Sequence, residues 1–141
     1  MPSRGRSHDL NWLCMIVVWP LVPPTKNMNV QELQATLAQF AKDRDWDQFH
    51  SPKNLAMALS VECSELLEIF QWLSQDQSLD LPEDKRKQVE EEIADIAIYL
   101  LRFSDKVGVD LAAAVDSKLE ANAVKYPADL VRGKAKKYNE Y

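Results

Sequence analysis

Glu62 and Glu65 stand three residues apart, and so do Glu92 and Asp95. Both pairs fall in long segments of apolar periodicity, where a carboxylate is expensive to keep. The chain has no cluster of cysteine and histidine, so four acids converging from two helices is how it would hold a hard divalent cation such as magnesium. Spacing alone is weak support, because 22 acids in 141 residues give roughly three or four such pairs by chance. Position around the helix carries more weight.

Placed at about 100° per residue, Leu55, Leu59, Leu66, Ile69, Phe70 and Leu73 form one apolar stripe, and Glu62 lies in the middle of it. A carboxylate there has to be neutralised, salt-bridged or bound to a cation. Glu65 lies on the edge of the stripe beside Asn54 and Trp72. On the second segment the stripe is Val89, Ile93, Ile96, Leu100, Phe103 and Val107; Glu92 and Tyr99 border it and Asp95 is one step further out. Glu90 and Glu91 project away from that edge and read as solvated. The bland alternative is that all four acids are surface groups or partners in interhelical salt bridges; for Glu62 the wheel argues against it.

A second constellation lies further along. Lys118, Asn122 and Lys125 fall within about 60° of one another on a helix and share that face with Leu111 and Val115. Inward-pointing cations imply pairing with buried carboxylates or with phosphates, unless the lysines bury only their stems and keep the ammonium in water. The tail adds Arg132, Lys134, Lys136 and Lys137, which could fold over a polyanion or stay solvated.

Four helices have to position these residues. The first follows Asn29 as N-cap and repeats Val30, Leu33, Leu37 and Phe40, losing its pattern near Asp45. A loop with Trp46, Phe49 and His50 leads to Ser51, a cap, and Pro52 at the first helical position. That helix runs to about Leu73, a polar segment covers Ser74 to Asp80, and Pro82 opens the third helix, which ends at Gly108. Asp110 caps the fourth, and Tyr126 and Pro127 stop it. No stretch alternates with period two, so the fold class is all-α, a four-helix-bundle-like protomer. The short connection between the third and fourth helices predicts that they are neighbours. The long third stripe asks for a partner subunit to cover it.

Composition bounds the rest. One domain fits 141 residues, and 46% hydrophobic content suffices for a core. The net charge of −5 argues against a general nucleic-acid surface. Cys14 and Cys63 support neither a disulfide framework nor a zinc site; Cys63 reads as a small buried helix residue, and a reducing cytoplasm is the simplest compartment. Residues 1–27 differ: Arg4 and Arg6 precede an apolar run of 13 residues, Leu10 to Val22, short of the about 20 a membrane crossing needs. A basic start before an apolar core also suits a signal peptide, but no clear cleavage motif follows. We read residues 1–27 as a dispensable extension from an upstream start, 28–127 as the catalytic domain and 128–141 as a basic tail.

The string Asp45-Trp46-Asp47-Gln48-Phe49-His50-Ser51-Pro52-Lys53-Asn54-Leu55, the block from Glu62 to Trp72, the step Glu92-Ile93-Ala94-Asp95 and Lys125-Tyr126-Pro127 resemble the MazG-like all-α nucleoside triphosphate pyrophosphatases, most of all their dCTP pyrophosphatase branch. The resemblance runs from about Val30 to Tyr141. It implies a magnesium-dependent house-cleaning enzyme that cleaves between the α- and β-phosphates, releasing a monophosphate and pyrophosphate, and that assembles as a homodimer or dimer of dimers. By motif match it makes Glu62, Glu65, Glu92 and Asp95 the Mg2+ ligands. Lys118, Asn122, Lys125 and Tyr126 fall near the triphosphate, Trp46, His50 and Trp72 around the base, and Tyr99 near the deoxyribose. One departure is Lys53, where relatives often carry arginine: the cation is kept and the planar fork is lost.

A water is the expected nucleophile, since no serine or cysteine sits beside a base. Glu65 is the first choice to orient or deprotonate it, Glu62 the second. Trp46 and Trp72 could sandwich a pyrimidine and His50 read its edge. Competing readings are a dUTP-preferring or broad-specificity pyrophosphatase and, in another class, a non-enzymatic helical oligomerisation or binding module whose acids form salt bridges. A di-iron bundle is disfavoured because neither His8 nor His50 follows a glutamate at the required spacing.

Overall fold

Three of the four long helices begin at a side chain that caps them. The computed structural model describes residues 29–135; the readings for residues 1–27, and for Lys136 and Lys137, lie outside the described residues. Helix α1 spans Val30–Lys42 and opens on a capping box, with the Asn29 side chain accepting from the Glu32 N–H at 2.8 Å and Glu32 accepting from the Asn29 N–H at 3.1 Å. Helix α2 spans Pro52–Phe70; the Ser51 hydroxyl accepts from the Asn54 N–H at 3.2 Å, and the proline stands where it has no helical hydrogen bond to lose. The polar segment after α2 holds a further capping box, between Ser74 and Gln77, and folds into the short helix α3, Gln75–Leu79. Helix α4 spans Glu83–Lys106, and α5, Leu111–Lys125, is capped by Asp110. A last turn, α6, Ala128–Val131, follows Pro127 inside the segment read as tail. Among the described residues there is no strand, so the fold is all-α, and no helix is long and apolar enough to cross a membrane.

Helices α2 and α4 pack along one another and α1 lies against α4. Burial on α2 follows its apolar periodicity: Leu55 is buried, Leu59, Leu66, Ile69, Phe70 and Leu73 are half-buried, and so is Glu62 among them. On α4 the inward face is rotated from the expected one. It runs through Lys85, Val89, Glu92, Ile96, Tyr99 and Phe103, all half-buried, while Ile93, Leu100 and Val107 are exposed. The helix must serve α1 and α2 together, and the face between them is not its most apolar one. Glu92 and Tyr99, expected on the border, therefore sit on the packed face.

Two further expectations are corrected. Cys63 is exposed, because it lies on the flank of the α2 stripe beyond the reach of α4. Helix α5 does not lie beside α4: it touches the other elements only marginally, and Leu119 and Val124 are 60% and 82% exposed. Gly108 adopts φ 67°, a left-handed conformation that strains any residue with a Cβ. It ends α4 without folding α5 back along it. Lys118 and Lys125 are consequently exposed within the protomer, and Asn122 is half-buried. Among the described residues, Ala41 and Leu55 are the fully buried apolar side chains.

Candidate functional site

The packing of α2 on α4 brings the two acidic pairs together. Carboxylate oxygens of Glu62, Glu65 and Glu92 lie within 4.8 Å of one another. Asp95 falls outside that group, although its charge is felt by both Glu62 and Glu92. Glu62 and Glu92 are half-buried; Glu65 and Asp95 are exposed. Loss of hydration holds the Glu62 carboxyl above the usual carboxylate range, and the charges of Glu65, Asp95 and Glu92 push the same way. Glu92 is raised likewise, by desolvation first and then by Glu65, Asp95 and Glu91. Glu91, read as a solvated bystander, thus adds to the repulsion. Among the described residues none of the four forms an ion pair. An all-oxygen set of anions without a built-in counter-charge fits a hard divalent cation such as Mg2+.

Two hollows flank this cluster along α4. The first encloses about 270 Å³. Its apolar lining includes Leu37, Phe40 and Ile98, its aromatic side chains are Trp46 and Tyr99, and its polar groups are His50, Arg102 and Asp95. The second, about 330 Å³, is lined by Glu65, Glu68, Ile69, Lys85, Gln88 and Glu92. Three of the four residues expected around a base and sugar, Trp46, His50 and Tyr99, thus share one hollow. Trp72 lines neither and is 86% exposed.

The first hollow is built by the segment between α1 and α2, which makes a single 3-10 turn over Asp47–Phe49. Trp46 meets Phe40 edge to face at 6.0 Å, and the Arg44 guanidinium lies 3.8 Å over the Phe40 ring. Burial lowers the His50 pKa below the usual 6.5; Arg102 and Lys106 act in the same direction, against Asp47. Among the described residues its buried Nδ1 has no hydrogen-bond partner, nor has the buried Nε of Arg102.

Sequence reasoning missed Arg102 and the carboxylates around it. Its side chain is 4% exposed, and it donates from Nη1 to Asp105 at 2.8 Å and from Nη2 to Asp47 at 3.0 Å. Lys106 completes the group with Nζ 2.8 Å from Asp47. Arg102 stands between Leu101 and Phe103, and a lone arginine in an apolar run was the available signal. Lys85 was missed because it lies outside the two acidic motifs, a full two turns before Glu92.

The cations expected at the phosphates belong to α5 and are not brought against the acids within the protomer. At the C-terminal end of that helix the Lys125 ammonium lies 5.7 Å from the Tyr126 ring centroid.

The model of the MazG-like family matches residues 57–141 of this chain. Over 113 residues the chain is 41% identical to dCTP pyrophosphatase 1 of Mus musculus and 39% identical to that of Homo sapiens. The matched part is 79% of this chain and 66% of each of those proteins, just under two thirds of their length. A crystal structure of a pyrophosphatase from Archaeoglobus fulgidus superposes with a TM-score of 0.65 at 46% identity, covering 69% of this chain and 91% of that one.

Proposed function

This chain belongs to the MazG-like family, and from that premise we propose that it is a magnesium-dependent nucleoside triphosphate pyrophosphohydrolase acting on dCTP or a modified dCTP. The observation that carries the reading is the meeting of three carboxylates from two helices within 4.8 Å, beside an aromatic hollow. Names of the relatives support the substrate: those aligned here are dCTP pyrophosphatases.

Glu62, Glu65, Glu92 and Asp95 would hold Mg2+, which when bound offsets the charge of the triphosphate and of the leaving pyrophosphate. Glu65, the exposed member of the close trio, orients a water and takes its proton; Glu62 is the alternative. Water adds across the α–β anhydride: its oxygen joins one phosphorus, the bridging oxygen leaves with the other, and a monophosphate and pyrophosphate result. Trp46 stacks on the base, His50 faces its edge, and Tyr99 packs against the deoxyribose. Trp72 joins this site from outside the hollow.

Beyond Lys85, which lines the second hollow with Glu65 and Glu92, the reaction needs further cations at the phosphates. Helix α5 carries Lys118, Asn122, Lys125 and Tyr126 away from its own bundle, so these residues serve the phosphates at the acid cluster of a second copy. The working form is a homodimer or dimer of dimers, in which the open edge of Ile93, Leu100 and Val107 is covered. Residues 28–127 form the catalytic unit and 128–141 a basic tail, in a cytoplasmic protein that binds neither nucleic acid nor membrane.

A pyrophosphate-release screen over standard and modified nucleotides, with and without Mg2+, tests the reading. Wild-type silence on every nucleotide overturns it in favour of a helical binding module. Preference for dUTP, or similar rates on many nucleotides, replaces the substrate assignment. Undiminished turnover in Glu65→Gln moves the base role to Glu62.

A further inference from the structure

Trp46 and His50 lie on a segment with one short 3-10 turn, yet they must form one side of a defined hollow. The segment is tied to both flanking helices. The Trp46 N–H donates to the Ala41 carbonyl at 2.9 Å on the α1 side, and the Asn54 side chain donates to the Phe49 carbonyl at 2.9 Å on the α2 side. Across the hollow, its tie to α4 is Asp47, one carboxylate oxygen of which takes both Arg102 at 3.0 Å and Lys106 at 2.8 Å. Arg102 is itself buried and held by Asp105 at 2.8 Å, while the Asp47 side chain is 55% exposed.

Tyr99, Ile98 and Arg102 line the hollow from α4; Trp46 and His50 line it from the segment. Asp47 joins the two sides, so the length of that ion pair sets their separation. The hollow, about 270 Å³, falls just below the roughly 300 to 1,000 Å³ typical of ligand pockets. A single aromatic ring fits between walls held in this way more readily than a fused pair.

We propose that the Asp47–Arg102–Lys106 clamp determines specificity: it fixes the gap between the Trp46–His50 wall and the Tyr99 wall so that a single-ring base is gripped and a two-ring base is excluded. The inference rests on the reading of this hollow as the base pocket. Arg102, Lys106 and Asp47 are positioning residues, since they act through the segment that carries Trp46 and His50.

Steady-state kinetics on dCTP and dATP, with calorimetric binding of dCMP and dAMP to the same proteins, tests it in wild type, Asp47→Asn and Lys106→Gln. In Asp47→Asn, KM for dCTP rises about 10-fold with kcat within about two-fold, and the preference for dCTP over dATP falls about 10-fold, the scale expected for one charge-assisted contact. Lys106→Gln, which removes the shorter of the two contacts to Asp47 and leaves the Arg102 pair intact, shows about half of that effect and provides the answer should Asp47→Asn fail to fold. Mn2+ binding at the acid cluster stays unchanged in both.

An unchanged preference in the variants overturns the clamp, and so does a loss confined to kcat. If wild type hydrolyses no nucleotide, the enzyme reading falls while binding still decides the clamp: tighter dCMP than dAMP, with the difference lost in the variants, upholds it. Equal or absent binding of the two by wild type overturns it.

Discussion

Two groups of carboxylates use the same helix and are treated in opposite ways. Glu92 on α4 meets Glu62 and Glu65 with no cation paired to any of them among the described residues, and Glu62 and Glu92 are pushed above the ordinary carboxylate range. Some three turns on, α4 supplies Arg102 and Lys106 to Asp47, whose carboxyl is pulled below its ordinary 3.8, by the Lys106 hydrogen bond first. Where the fold provides the counter-charge, the acid is part of the framework. Where it provides none, the acid marks a place for a charge from outside.

The largest effect that separates the two regions is on turnover. Glu62→Gln should lower the rate of pyrophosphate release by about 10³-fold, about 4 kcal/mol of transition-state stabilisation, without lowering the melting temperature measured in EDTA. A melt that fell with the rate would make Glu62 a framework residue and erase the contrast. Next is Arg102→Ala, which removes two charge-assisted hydrogen bonds and a buried stem. Urea denaturation should show a loss of about 3 kcal/mol, with Mn2+ binding at the cluster retained by the folded fraction.

Metal loading should stabilise one region and ignore the other. Mg2+ at one hundred times its dissociation constant should raise wild-type stability by about 2.7 kcal/mol. The gain should vanish in the Glu62→Gln, Glu92→Gln double variant and persist in Asp47→Asn.

The smallest effect is the pH dependence of the melt without divalent cations. For Glu62 and Glu92 the folded pKa lies above the unfolded 4.5, so the folded state binds more protons and stability falls as pH rises from about 4.5 through the raised values. For Asp47 the folded pKa lies below 3.8, so its contribution is present above that value and lost as pH falls through the lowered one. His50 adds to the acid side, because its depressed pKa makes protonation below 6.5 unfavourable to the fold. Glu62→Gln should flatten the upper limb of a melting profile over pH 3 to 8, and Asp47→Asn the acid limb. Both variants flattening the same limb would break the comparison.

The legible parts of the molecule were those written in local chemistry. Asn29, Ser51 and Asp110 placed three helix starts, since a cap is decided by the nearest few residues. Glu62 could be recognised as displaced because one stripe on α2 faces one neighbour. On α4 the same method put Glu92 at the border, for two neighbours share that helix and periodicity does not report which face lies between them. Arg102 escaped notice because its partner Asp47 is 55 residues away in the chain. Helix α5 was placed beside α4 on loop length alone, but the Gly108 conformation, not the number of linking residues, sets its direction.

That direction has a genetic consequence. If α5, which stands off its own bundle, serves the neighbouring copy as proposed, the acids and lysines of each site lie on separate polypeptides. A Glu62→Gln chain and a Lys118→Ala chain, each inactive in its own assembly, would then complement one another when co-expressed. One site of the mixed pair inherits both defects, while the other is wholly wild type.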